Sequence, residues 1–243
     1  MFGWGCNVLD DLFSGTLRAF HLQRPSVPLR LISWSLDSVL GLLGTVEYCT
    51  VNCIDMLLSK CIFLLGLATG GRISELHALN RGAQYLAFST DRRSVSLLSR
   101  YTFLAKNEHP LHRRDPIDIQ GLSDEDGSPH VLCPVQALSR YLNVTKEFVS
   151  GPLFRNSLTG TPLAKSKCSK IICDLIKDSQ PGSFPLGHDL RKMSTSLAFF
   201  RQMHLPEICQ RVGWASGNVF IRHYLKDIQE VMSTCVVLGR PTS

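Results

Sequence analysis

The stretch Asn52–Ala68, NCIDMLLSKCIFLLGLA, constrains the chain most. It is strongly apolar, it begins at Asn52, a good N-cap residue, and it runs into Gly70–Gly71, where a chain turns tightly. Its most apolar part, Cys61–Thr69 (CIFLLGLAT), is about half of what is needed to cross a bilayer. The sequence therefore predicts a helix buried in a protein core rather than a membrane segment. A chain of 243 residues has room for such a core in one large domain, or one domain with an appendage.

Other segments arrange themselves around that helix. Ser33–Gly44 (SWSLDSVLGLLG) spaces Trp34, Val39, Leu42 and Leu43 helically, with Gly44 as a stop. Arg72–Leu79 resumes a helical pattern. Gln84–Ser89, Ser94–Ser99 and Pro116–Ile119 are short and strand-like, with the polar turn Lys106–Asp115 between the last two. Pro134–Asn143 begins with proline at the first helical position, and Lys165–Lys177 is amphipathic. Residues 188–202, 205–213 and 218–231 read as further helices. Residues 1–30 have weak periodicity, and Pro25 and Pro28 break them. The expected class is mainly α with a small antiparallel β-sheet (α+β).

A formal net charge of +6 permits a polyanionic partner without demanding one. The nine cysteines include the pairs Cys49/Cys53 and Cys168/Cys173, but no CxxC and no His/Cys cluster with zinc-finger spacing. Asp10 and Asp11 interrupt the first apolar stretch and no basic segment leads it, so the sequence reads without a secretion signal. The cysteines then read as reduced core thiols of an intracellular protein.

Six residues draw attention: Arg72, Lys106, the pair His188 and Arg191, Trp214 and Tyr224. Each has an ordinary structural reading when taken alone. Arg72 can pair with Glu75 one turn on, Lys106 can be a solvated turn lysine, and Trp214 can be a core aromatic. Tyr224 can pack with Phe220 on one helix face.

Taken together and in order, GLATGGRISELHAL, GHDLRK and VGWASGNVFIRHYL resemble the tyrosine recombinase, or phage integrase, family. That family carries an arginine in a TGxRxxEL motif, a hairpin lysine, HxxR, a histidine or tryptophan after a glycine, and a nucleophilic tyrosine. WSLDSVL, RISELHAL, HDLRK and GWAS…FIRHYL are similar to the recombinases of DIRS-like retrotransposons. The resemblance covers residues from about 30 to about 230. It implies the catalytic-domain fold of DNA breaking-rejoining enzymes, double-stranded DNA as partner, a tetramer on DNA, and a nuclear location. It implies no metal and no cofactor.

The resemblance also assigns roles. Cleavage of a phosphodiester places extra negative charge on the non-bridging oxygens, and preorganised cations lower that barrier. Arginine binds phosphate bidentately and stays charged, so Arg72 and Arg191 would clamp the scissile phosphate. His188, one turn before Arg191, would share its face and accept the phenolic proton or hydrogen-bond the site. Tyr224 would attack and form a 3′-phosphotyrosyl bond. Lys106 would protonate the leaving 5′ oxygen, with Arg100, Arg113 and Arg114 nearby and the hairpin register open. Trp214 would donate its indole N–H to a phosphate oxygen. Glu75 would orient a neighbour.

The resemblance divides the chain into a truncated or remnant N-terminal region (1–48), a recombinase catalytic domain (49–235) and a tail (236–243). Relatives carry an N-terminal helical domain that closes over DNA, and about 50 residues stand in its place here. Residues 225–237 read as a helix that docks on a neighbouring subunit or on its own core. The expected activity is site-specific DNA recombination or integration of mobile-element origin. The alternatives are a catalytically idle DNA-binding remnant and type IB topoisomerase-like relaxation.

Overall fold

The structure, a computed structural model, describes residues 34–50, 53–106, 108, 111, 115–214 and 217. The N-terminal residues 1–33, the helices expected at 218–231 and 225–237, and the tail lie outside them.

Helix α1 (Leu36–Leu43) starts at Ser35, whose hydroxyl accepts the Ser38 N–H at 3.4 Å, and stops at Gly44 as the sequence indicates. The short α2 (Val46–Thr50) leads to α3 (Ile54–Thr69), the expected central helix. Leu57, Leu58, Cys61, Ile62, Phe63, Leu64 and Leu65 of α3 are all buried. Its N-cap is Cys53, which makes no side-chain capping hydrogen bond; Asn52, the expected cap, lies outside the described residues. Burial on every side, rather than capping, holds this helix.

After α3 come α4 (Ile73–His77) and the strands β1 (Leu86–Phe88), β2 (Ser94–Leu97) and β3 (Ile117–Gln120). They form an antiparallel meander in the order β1-β2-β3, with Leu86 opposite Leu97 and Val95 opposite Ile119. Val95, Leu97 and Ile119 point into the core. On the other face the Ser96 hydroxyl donates to Asp118. Period-2 alternation thus fixes which face is buried. The remaining helices are α5 (Pro134–Val144), α6 (Lys165–Ser179), α7 (Asp189–Phe200) and α8 (Leu205–Val212). Helices α5, α6 and α7 all pack on α3.

Two buried cations brace this core. Lys60, 3% exposed, donates to the Leu43 carbonyl at 2.8 Å and so caps the end of α1. Burial pushes its pKa down. Arg81, 7% exposed, holds the chain beyond α5 through the carbonyls of Thr145 and Phe148, both at 2.8 Å, and of Leu153 at 2.9 Å.

Helix α3 meets α7 and α4 at Gly66. A Cβ there would lie 2.6 Å from Leu190 Cδ2 and 3.2 Å from Leu76 Cδ1. Both leucines are 2% exposed and have nowhere to go. Gly66→Ala should therefore cost about 1–3 kcal/mol through overpacking. Gly41→Ala, at an exposed turn of α1 with nothing within 4 Å, should stabilise by about 0.4–1 kcal/mol. Urea unfolding of the two variants checks the contrast.

Burial raises the Cys168 thiol pKa from an ordinary 9.0 to about 11. Above the ordinary value the unfolded chain loses this proton while the folded chain keeps it. The stability this thiol contributes is then complete below pH 9 and is lost as pH rises through about 11. The loss is on the order of 2 kcal/mol. Stability measured from pH 8 to 11 should fall less steeply in Cys168→Ala than in the parent chain, whatever the baseline cost of the substitution.

Candidate active site

The site is built where α3 ends. Gly70 adopts φ +60, a left-handed conformation that glycine takes freely, and its N–H closes on the Gly66 carbonyl at 3.0 Å. The Thr69 hydroxyl donates to the Leu65 carbonyl at 2.8 Å and accepts the Gly71 N–H at 3.0 Å. This double turn delivers Arg72 to the start of α4. The sequence suggests a helix from Arg72 to Leu79, but Arg72 is the N-cap, with extended backbone (φ −71, ψ 154). Glu75, at the third helical position, reaches back and accepts the Arg72 N–H at 2.8 Å.

Glu75 is the centre of the charge cluster. Its Oε1 pairs with Arg72 Nη1 at 2.8 Å, and its Oε2 lies 3.5 Å from Arg191 Nη1. Arg191, 5% exposed, projects from the first turn of α7. Nη1 donates to the Gly70 carbonyl at 2.8 Å and Nη2 to the Val212 carbonyl at 2.9 Å. Its guanidinium carbon lies 5.3 Å from the centre of the Trp214 ring, a cation–π distance. Trp214 is placed by the end of α8: Gly213 turns left-handed at φ +66, and the Trp214 N–H returns to the Cys209 carbonyl at 2.8 Å. That six-residue return is the Schellman way of ending a helix. Trp214 packs in a small apolar cluster with Ile208, Cys209 and Val212.

The structure thus brings Arg72, Glu75, Arg191 and Trp214 together from three separated parts of the chain. The two arginines differ. The Arg72 side chain keeps 22% of its area open, whereas Arg191 is enclosed. His188 and Arg191 share a helical turn but not an environment. His188 is the N-cap of α7 with φ −80 and ψ −15, and it is exposed. His188 keeps helical backbone angles and its carbonyl accepts the Lys192 N–H at 3.2 Å, so the spacing of the two is helical; what differs is burial, since only Arg191 is enclosed. Lys106 is exposed, in a turn of the long connection between β2 and β3 rather than on a strand. Among the described contacts neither residue joins the cluster. Arg113, Arg114 and Tyr224 lie outside the described residues.

Sequence reasoning missed Asp189 and the carbonyl partners of Arg191. Asp189 is 6% exposed, and its Oδ2 accepts the Leu186 N–H at 2.8 Å, which fixes the entry to α7. An acidic residue at a helix start is the available signal for it. The Gly70 and Val212 carbonyls carry no side-chain signal.

Glu75 offsets two guanidinium groups at once. Glu75→Ala should cost about 3 kcal/mol or more, since it leaves the enclosed Arg191 without its carboxylate. Arg72→Ala should cost no more than about 1 kcal/mol, because that side chain is partly solvated. Chemical denaturation of both variants separates the two.

No protein-family model and no curated protein matches the sequence. Solved structures do. One is XerH site-specific recombinase bound to difH substrate in a pre-cleavage complex, with TM-score 0.57 and 16% identity, over 85% of this chain and 53% of that one. The same recombinase bound to palindromic difH substrate, in a post-cleavage complex, gives 0.60 and 14%, over 89% and 56%. XerA recombinase gives 0.56 and 16%, over 90% and 68%. The fold is that of a tyrosine recombinase catalytic domain. The helices around α3 and the three-stranded sheet are the parts that define it here, and the chain spans little more than half the length of XerH.

Proposed function

We propose that this chain breaks and rejoins double-stranded DNA as a site-specific recombinase or integrase of mobile-element origin. One observation carries the reading: two arginines from separated parts of the chain converge on one buried carboxylate beside a tryptophan. Among the described residues, two guanidinium groups meet one carboxylate, which favours an anion beside them. A dianion-like phosphorane, with charge on its non-bridging oxygens, is the species such a cluster favours. The recombinase fold and the DNA substrate carried by the XerH structures support the same class of reaction.

In this reading Tyr224 attacks the scissile phosphorus, its phenolic proton passes to His188, and the new bond is a 3′-phosphotyrosyl ester. Lys106 protonates the departing 5′ oxygen. The bond that forms and the bond that breaks are both phosphate esters, so no external energy source is required. Arg72, the more open arginine, meets the phosphate first, and Arg191 holds the turn that positions it. Residues 49–235 act as the catalytic domain. Assembly as a tetramer on DNA, nuclear location and kinship with DIRS-like elements belong to this proposal and follow the motifs rather than the geometry.

The test is covalent trapping. The chain is mixed with a pool of randomised duplexes carrying nicks, so that a cleaved end diffuses away, and the products are run on a denaturing gel. A protein–DNA adduct is expected, and Tyr224→Phe should abolish it while retaining noncovalent binding. Binding with no adduct in the parent chain would make it an idle DNA-binding module instead.

A further inference from the structure

Among the described residues the cysteines are of two kinds. Cys61, Cys133, Cys168 and Cys209 are buried, and burial pushes the thiol pKa up in Cys61, Cys168 and Cys209. Cys49 and Cys173 are partly open, and Cys53 is exposed. Among the described contacts an amine meets one of these three. Lys60 Nζ, from α3, lies 3.5 Å from the sulfur of Cys49, on α2. An enclosed thiol is inert, whereas one that is partly open and flanked by cations reacts.

The Leu43 carbonyl, at the end of α1, holds the pair together. Lys60 Nζ donates to it at 2.8 Å and the Cys49 thiol at 3.7 Å. The thiol also donates to the Gly44 carbonyl at 3.5 Å. Arg140, from α5, closes the group by donating to the Cys49 carbonyl. Among the described residues the partners of Lys60 are two carbonyls and this sulfur, with no carboxylate. Burial pushes the Lys60 pKa down. That enlarges the share of the neutral amine, whose lone pair is a nucleophile. A thiol open to small solutes and a buried amine thus stand in contact, with no group between them.

We propose that Cys49 and Lys60 are an oxidative modification site, joined by a reversible sulfur–nitrogen bond when the chain meets hydrogen peroxide. The Cys49 sulfur attacks the peroxide and becomes a sulfenic acid, releasing one water. Sulfur gives up two electrons and the O–O bond takes them. The Lys60 amine then attacks that sulfur, the S–O bond breaks, and the departing hydroxide takes an amine proton as the second water. A sulfenic acid condenses with a backbone nitrogen in the same way. The closing movement falls to the flexible lysine stem. The bridged nitrogen keeps one N–H for the Leu43 carbonyl, so α1 retains its cap while the buried positive charge disappears. Two thiols of a reductant restore the thiol and the amine and leave as a disulfide. Nothing in this site depends on the DNA-cleaving reading.

The test is peptide mapping of the full chain after hydrogen peroxide, with free thiols capped by iodoacetamide before digestion with trypsin. Trypsin cuts after Arg30, Lys60 and Arg72, so the untreated chain yields peptides 31–60 and 61–72. The bridge blocks the cut at Lys60. The expected product is one peptide, 31–72, with Cys53 and Cys61 capped, Cys49 uncapped and two hydrogens lost. Dithiothreitol should return the two separate peptides. The bridge should persist in Cys53→Ser and vanish in Cys49→Ser and in chain unfolded by urea before oxidation. Lys60→Arg keeps the charge without the nucleophilic amine and should leave a sulfenic acid that dimedone traps. If that variant does not fold, the parent chain and Cys53→Ser still decide. Continued cutting at Lys60 overturns the proposal, whether Cys49 is then joined to Cys53, oxidised to sulfinic acid or left unchanged.

Discussion

The guanidinium of Arg191 is the fastening on which the candidate site depends. One terminal nitrogen holds the carbonyl of Gly70, at the end of α3, and the other holds the carbonyl of Val212, at the end of α8. Each of those carbonyls belongs to a helix terminus and lacks a partner within its own helix. A cation at a helix C-terminus also meets the negative end of the helix dipole. Arg191 therefore satisfies two orphan acceptors, offsets two dipole ends and faces Glu75 with one planar group. Lysine at this position would supply the charge but not the flat fork that spans both carbonyls.

This fastening couples the small apolar cluster around α8 to the main core. Ile208, Cys209, Val212 and Trp214 form a buried group of their own, distinct from the core around α3. Arg191 lies between them, donating to Val212 and stacking near Trp214 while its own helix packs on α3. The orientation of Trp214 is consequently set by two independent features, the left-handed Gly213 and the cation beside its ring. The same economy operates at Glu75, which closes the N-terminus of α4 with one oxygen and pairs with Arg72 through the other.

Much of this was legible in the sequence because it rests on periodicity. The run that became α3 is too apolar to lie on a surface and too short for a membrane, which leaves the centre of a fold. The three strands appear where short strand-like segments separate turns, with ends shifted by a residue or two, since strand ends are set by pairing with a neighbour. Arg72, Glu75 and Arg191 were visible as residue types at motif spacings. Their geometry was not, because Arg191 bonds to backbone carbonyls and a carbonyl has no letter in a sequence. Arg81 escaped for the same reason: its partners are the carbonyls of Thr145, Phe148 and Leu153. The start of α3 at Ile54, with Cys53 as a cap that makes no side-chain hydrogen bond, had no signal in residue type, because tertiary burial sets it.

His188 and Arg191 show how burial can change within one turn at a helix start. Helical spacing puts residues three apart on one face. His188 is the N-cap but keeps helical angles, so the rule reaches it and the two differ in burial. The buried Asp189 takes the Leu186 N–H, and Gly187 abuts Ser169, so the chain enters α7 along a fixed path that leaves the imidazole outside. Arg191, one turn deeper, meets the ends of α3 and α8 and is enclosed. An imidazole that exchanges protons, as the proposed reaction asks of His188, gains from solvent access, and a group that must hold charge in place gains from enclosure. Placing the boundary of burial between them meets both needs with a single turn of helix.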